Sequence, residues 1–133
     1  MQPPSLRAAY SSLLAAPALA LALAACATMA APGPAKMSNG MLVGANGMTL
    51  YTFDRDAANA GKSACNGPCA TLWPPLMAMA SDQPNGAWSV IARDDGAHQW
   101  AYKGKPVYFY AKDKQAGERS GDNFRDVWHA VKE

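Results

Sequence analysis

Apolar and polar positions alternate most clearly in two short stretches. Across Met48–Asp54, Thr49, Tyr51 and Phe53 fall on one side, and Met48, Leu50 and Thr52 on the other. That period of two predicts a strand. Across Lys105–Ala111, Pro106, Tyr108 and Tyr110 take the first side, and Lys105, Val107 and Phe109 the second. Both sides carry apolar groups, so each strand is expected to be covered at least in part on both faces. Turn signals precede both strands. Asn46-Gly47 predicts a two-residue type I′ hairpin that sets Val43 opposite Leu50. Lys103-Gly104 likewise sets Trp100 opposite Val107, and Asp95-Gly96 sets Ile91 opposite Trp100. The expected row Ile91, Trp100, Val107 crosses three antiparallel strands.

The two stretches are copies. "GMTLYTFDRD" begins at Gly47, and "GKPVYFYAKD" begins 57 residues later at Gly104. Tyr51, Phe53 and Asp56 correspond to Tyr108, Tyr110 and Asp113. After each Asp comes a polar, Gly-containing loop and then a tryptophan, Trp73 or Trp128. "CATLW" and "FRDVW" each predict a short helical turn. The expected fold is mainly β. It is a small antiparallel sheet domain over residues 39–133, built from two hairpin-plus-loop repeats at about 41–76 and 98–131.

What precedes the domain differs in kind. Arg7 stands before the apolar run "AAYSSLLAAPALALALAAC", the n-region and h-region of a secretory signal over residues 1–25. The run ends in Leu23-Ala24-Ala25-Cys26, which resembles the lipobox of bacterial lipoproteins. Cys26 is then lipidated and becomes the new N-terminus. Cleavage at a nearby A-x-A site is the alternative. Acyl chains bury about 0.8 kcal/mol per CH₂, enough for several chains to hold a protein on a membrane. By the same resemblance, Ala27 in place of an aspartate implies export to the outer membrane, facing the periplasm. Residues 26–38 are small, with Pro32, Gly33 and Pro34, and read as the lipidated cysteine and a flexible tether.

Charge narrows the partners. Of 12 basic residues Arg7 lies in the signal, and the remainder nearly balance the 10 acidic ones. Nucleic acid would want a clustered basic patch. Lys103, Lys105, Lys112 and Lys114 are interleaved with Asp113 and Glu118 and read as a solvated face. The membrane, through Cys26, and another envelope protein are the expected partners. With Cys26 assigned to lipid, Cys65 and Cys69 are expected to pair in an oxidising compartment. So short a loop gains on the order of 2 kcal/mol. A redox-active pair is the rival, without the C-x-x-C spacing of thioredoxin-like motifs.

These residues resemble the family of bacterial lipoproteins with a tandem secreted repeat of unknown function, marked by Y-x-[FWY]-x-x-D. The motif reads Tyr51-Thr-Phe53-Asp-Arg-Asp56 and again Tyr108-Phe-Tyr110-Ala-Lys-Asp113. The segments "CNGPCATLWPP" and "WHAV" are similar too. The resemblance implies an envelope location and a tandem repeat, and carries no catalytic residues.

Three readings of the motif remain. In the first, the aromatic faces of two repeats pack on each other about a pseudo-twofold axis, Asp56 and Asp113 cap turns, and Asp122-Asn123 close in repeat two the turn that the cysteines close in repeat one. In the second, duplicated tyrosine and aspartate bind a cation or sugar. A third assigns a copper or redox centre to His98, His129, Met77 and Met79, because thioethers and imidazoles suit copper. Against that, methionine fills gaps in small cores. No G-x-S-x-G, H-E-x-x-H, P-loop or Rossmann pattern occurs, and Asp94-Asp95 is turn chemistry. The expectation is a non-catalytic binding or scaffolding module without a cofactor; a periplasmic copper or redox-centre protein is the alternative.

Overall fold

The computed structural model describes residues 33–133, with Gln2 and Pro4. The rest of the signal, Cys26 and the tether up to residue 32 lie outside the described residues.

The described domain opens on a hairpin whose first strand falls within the segment expected to be tether. β1 (Ala35–Ser38) pairs with β2 (Met41–Gly44), from Ala35 opposite Gly44 to Ser38 opposite Met41. Asn39 and Gly40 make the turn at φ 50° and 77°, the two positive values of a type I′ turn. The strand has no alternating apolar pattern because Lys36, Met37 and Ser38 are all exposed. Backbone pairing to β2 holds it, together with Ala35, which packs partly buried against the second core. The domain therefore starts at about residue 34, before the expected residue 39.

The Asn46-Gly47 and Asp95-Gly96 turns differ from expectation in the same way. Gly47 and Gly96 have positive φ, 78° and 84°, and the residues before them do not. Each turn has three residues and ends in a glycine bulge. Gly44 N–H donates to Met48 O, and Arg93 N–H to Ala97 O. The preceding side chain stabilises each bulge: Asn46 Oδ1 accepts from Met48 N–H (3.0 Å) and Asp95 Oδ1 from Ala97 N–H (2.9 Å). The extra residue shifts both registers by one. Val43 lies opposite Thr49. Between β5 (Trp88–Ala92) and β6 (His98–Tyr102), Val90 faces Trp100 and Ile91 faces Gln99. At Lys103-Gly104 both φ values are positive, 49° and 81°. There the two-residue turn forms as expected, leading into β7 (Lys105–Pro106), and Val107 N–H donates to Trp100 O.

The two repeats exchange their last strands. β8 (Trp128–Ala130) belongs to repeat two but pairs with β3 (Tyr51–Phe53) of repeat one, with Tyr51 opposite Ala130. Residues 72–76 of repeat one run in the same way along residues 107–111 of repeat two, with Pro75 opposite Tyr108. The hydrogen bonds match pair by pair. Val131 N–H to Leu50 O answers Leu76 N–H to Val107 O; Leu42 N–H to Val131 O answers Trp100 N–H to Leu76 O. β4 (Met77–Ala78) continues the second exchange onto β6. At the centre Tyr51 and Tyr108 donate their N–H groups to each other's carbonyls, at 2.8 and 2.9 Å. The pseudo-twofold axis passes between them.

Both strand faces are covered, as the alternation predicts. Tyr51, Phe53, Tyr108 and Tyr110 enter one core with Trp73, Trp128, Cys65 and Met41. Leu50 and Val107 enter a second with Leu42 and Trp88. The expected helical turns are α1 (Pro68–Leu72) and a 3₁₀ turn at Phe124–Asp126.

Candidate functional site

The strand alternation turns Tyr51 and Tyr108 inward, and the turn after each strand brings Asp56 and Asp113 back beneath the sheet. Pairing crosses the repeats. Tyr51 donates its hydroxyl to Asp113 Oδ2 at 2.7 Å, and Tyr108 donates to Asp56 Oδ2 at 2.5 Å. The other carboxylate oxygens take backbone donors from the long loops: Ala64 N–H to Asp56 Oδ1 (2.6 Å) and Ser120 N–H to Asp113 Oδ1 (2.9 Å). Each aspartate thus ties its own repeat's loop to the other repeat's tyrosine. Tyr51 and Tyr108 are fully buried, and Asp56 and Asp113 are only 2% and 7% exposed. Burial, then the neighbouring carboxylate, raises the pKa of both tyrosines well above the usual phenol value. Burial also raises that of Asp56, against the hydrogen bonds from Tyr108 and Ala64 and the charges of Lys105 and Arg93.

Above the dyads runs a column of four rings. Phe53 stacks on Trp128 (4.2 Å between centroids), Trp128 on Trp73 (3.9 Å) and Trp73 on Tyr110 (4.2 Å). The rings alternate between repeats one and two. Tyr51 meets Trp73 edge-on and Tyr108 meets Trp128 edge-on, at 5.3 and 5.2 Å. Such aromatic contacts add roughly 0.5–1.5 kcal/mol each beyond burial.

Repeat two adds a buried arginine to one dyad. Arg93 is 6% exposed. Its guanidinium donates to Ser63 Oγ (3.0 Å), Gln99 Oε1 (2.7 Å), Cys65 O (2.5 Å) and Asn66 Oδ1 (3.3 Å). Ser63 Oγ lies 2.5 Å from the Tyr108 hydroxyl. Because Tyr108 gives its proton to Asp56, Ser63 is the donor to it. Arg93, Ser63, Tyr108 and Asp56 form one donor-to-acceptor chain. The sequence reading missed Arg93. The available signal was parity: Arg93 is two residues after inward-facing Ile91, on the same face.

Cys65 and Cys69 form the expected disulfide, with Cα atoms 5.2 Å apart. In repeat two the side chains of Asp122 and Asn123 do not close their own turn, which backbone hydrogen bonds form instead. Asp122 Oδ1 accepts from Ala130 N–H (3.0 Å), and Asn123 Oδ1 meets His129 Nδ1 (3.2 Å), so both tie the loop to β8. Burial pushes the Asp122 carboxyl up, but the Ala130 donor and the Lys132 ammonium outweigh it and hold its pKa below the usual range.

The copper candidates are not gathered into one site. His98 faces Ala78 and Met77 faces Gln99 across the β4–β6 pair, which puts His98 and Met77 on opposite faces. Met77 and Met79 are exposed. His129 lies in the separate β3–β8 pair and meets Asp54 (2.8 Å) and Asn123. Among the described residues no group of three or more His, Cys, Asp or Glu is placed to hold a metal ion. Asp95 serves the turn, and Asp94 Oδ2 accepts from Asn66 Nδ2 of the disulfide loop at 3.3 Å.

No helix among the described residues is long and apolar enough to cross a membrane. No curated protein and no solved structure matches the chain. The family model described as "secreted repeat of unknown function" matches residues 34–77 and again 89–132. Its first copy begins with the β1–β2 hairpin and its second with β5–β6, so each copy is a hairpin, an aromatic strand, a loop and the strand given to the other half. With both copies matched over most of the folded domain, the chain belongs to the family of secreted repeats of unknown function.

Proposed function

We propose that this protein is a lipid-anchored, non-catalytic binding or scaffolding module of the bacterial envelope. Cys26 carries the lipid, and residues 27–33 are the tether that sets the domain within about 25 Å of the bilayer, at 3.3–3.6 Å per residue. Leu23-Ala24-Ala25-Cys26 supports the anchor and Ala27 supports the outer membrane, facing the periplasm. Membership of a secreted family agrees with export.

One observation carries the non-catalytic reading. The duplicated polar groups, which are the natural candidates for acid–base chemistry, are sealed in the core with their oxygens already bonded to the protein. A general acid or base has to reach its substrate within hydrogen-bonding distance. These groups organise the fold instead, and recognition falls to the surface.

Labelled palmitate supplied to cells making the protein is expected to enter the wild type and to be lost in Cys26→Ser. Equal labelling of the variant overturns the anchor. Turnover of an envelope substrate by the purified protein overturns the non-catalytic role.

A further inference from the structure

The two halves share a backbone plan but differ at one matched position. Met41 stands in repeat one where Gln99 stands in repeat two. Each immediately precedes the residue, Leu42 or Trp100, that donates to the exchanged strand. In repeat two the hairpin continues past Ile91–Gln99, and Arg93 folds back to cover Gln99 with its guanidinium at 2.7 Å. In repeat one the hairpin stops at Ser38–Met41, so nothing corresponds to Arg93. A cleft of about 440 Å³ opens there, lined by Lys36, Ser38, Met41, Val43, Thr49 and Arg119 among others. That volume lies within the roughly 300–1,000 Å³ usual for small-molecule sites.

The register builds the cleft. Lys36 lies opposite Val43, Val43 opposite Thr49, and Ser38 opposite Met41, so all five share one face. Met41 and Val43, 8% and 3% exposed, form an apolar floor. The loop of repeat two forms the far wall, held by Thr49 Oγ1 donating to Glu118 O at 2.6 Å. Lys36 stands on one rim and Arg119 on the other, with Arg119 Nη1 3.9 Å from Met41 Sδ. Among the described residues neither cation has a carboxylate partner. Neighbouring Glu118 turns its carboxylate to Lys114 N–H at 2.8 Å.

The geometry points to a binding site for a small phosphate ester. The phosphate sits between Lys36 and the guanidinium fork of Arg119, which suits phosphate oxygens, and the apolar part rests on Met41 and Val43. The phosphate belongs to a phospholipid headgroup or to a free organic phosphate. This rests on the binding role proposed above but not on the lipid anchor, so palmitate labelling and the test below fail independently.

The purified protein is titrated with glycerol phosphate and with dihexanoyl phosphatidylglycerol, and backbone amide shifts are followed by NMR. Saturable shifts are expected in β1, β2 and the Ala116–Arg119 loop. Lys36→Gln and Arg119→Gln are each expected to weaken binding by about tenfold, the loss of one charged contact. Lys112→Gln/Lys114→Gln should leave it unchanged. Both sites are on the surface, and unchanged shifts elsewhere report an intact fold. Response to glycerol phosphate identifies the phosphate group as sufficient; response to the lipid alone identifies the headgroup with its chains. Absence of saturable shifts with either probe, or equal weakening by the Lys112/Lys114 control, overturns the site.

Discussion

Replacing Tyr108 by phenylalanine tests the cross-repeat dyad directly. The substitution keeps the ring, its edge contact with Trp128 at 5.2 Å and nearly all its volume. It removes one hydroxyl, which donates to Asp56 Oδ2 at 2.5 Å and accepts from Ser63. Asp56, 2% exposed, keeps Ala64 N–H on Oδ1 but has no substitute donor for Oδ2. A hydrogen bond to a charged group contributes about 1.5–3 kcal/mol. In a domain of this size each kcal/mol moves Tm by about 4–8 °C, so a fall of roughly 6–24 °C is expected near neutral pH. The loss depends on pH in a defined direction. Burial already raises the pKa of Asp56 in the folded state, so its ionisation costs stability as pH rises through that value. The Tyr108 donor partly offsets this, and without it the folded pKa rises further. Once protonated, Asp56 is uncharged, and losing its Tyr108 partner costs less than it does for the carboxylate. The gap between wild type and variant should therefore narrow as pH falls through the folded pKa of Asp56 toward its unfolded value near 4. Circular-dichroism melts at pH 7 and pH 4 measure it. Tyr102→Phe, half-buried beside Trp88 at 4.9 Å, serves as the control. A Tyr108→Phe shift no larger than the control's, or one that grows at pH 4, refutes the reasoning.

Four other outcomes are expected. Reducing Cys65–Cys69 should lower stability by about 2 kcal/mol without unfolding the chain, read from melts with and without dithiothreitol. Gly121→Ala would set a Cβ 2.6 Å from Trp73 Cη2, and overpacking of this kind costs about 1–3 kcal/mol, measured by urea titration of tryptophan fluorescence. Arg93→Met strips donors from Gln99 Oε1 and Cys65 O, and at about 1–3 kcal/mol for each buried acceptor the same titration should show a loss of at least about 2 kcal/mol. Fragments 33–79 and 80–133 should each be unfolded alone and regain the sheet signal when mixed, because each supplies the strand that completes the other; a fragment that folds by itself would contradict the exchange.

Much of the sheet was legible because its signals are local. Period-two alternation located Tyr51 and Tyr108, and Lys103-Gly104 gave the correct register. Two other registers were off by one for a reason that the dipeptide does not carry. Asn-Gly and Asp-Gly serve both two-residue turns and three-residue turns with a glycine bulge, and the choice depends on the residue before them and on what the strand must face. Ala45 and Asp94 take that extra place. β1 was hidden because its side chains are exposed and it lies beside a Pro- and Gly-containing segment. The motif residues were found, but not their partners. Tyr51 is five residues from Asp56 and 62 from Asp113, and it binds the distant one. Spacing along one chain cannot show an exchange between its halves.

That exchange explains why the duplicated residues are polar. Two similar apolar halves could pair in several registers at similar energy, since apolar contacts have little direction. A buried tyrosine and a buried aspartate each need a partner at hydrogen-bond distance, and leaving one unmade costs about 1–3 kcal/mol or more for a charge. The arrangement that sets Tyr51 on Asp113 and Tyr108 on Asp56 satisfies all four groups together with the loop donors Ala64 and Ser120. The motif thus specifies how one half meets the other. Its two copies are alike because each must fit the same mate. The places where the halves differ are free of that requirement. Arg93 fills repeat two at Gln99, while repeat one leaves its cleft between Lys36 and Arg119 open. The residues the halves share hold them together, and the residues they do not share leave one matched face filled and the other open.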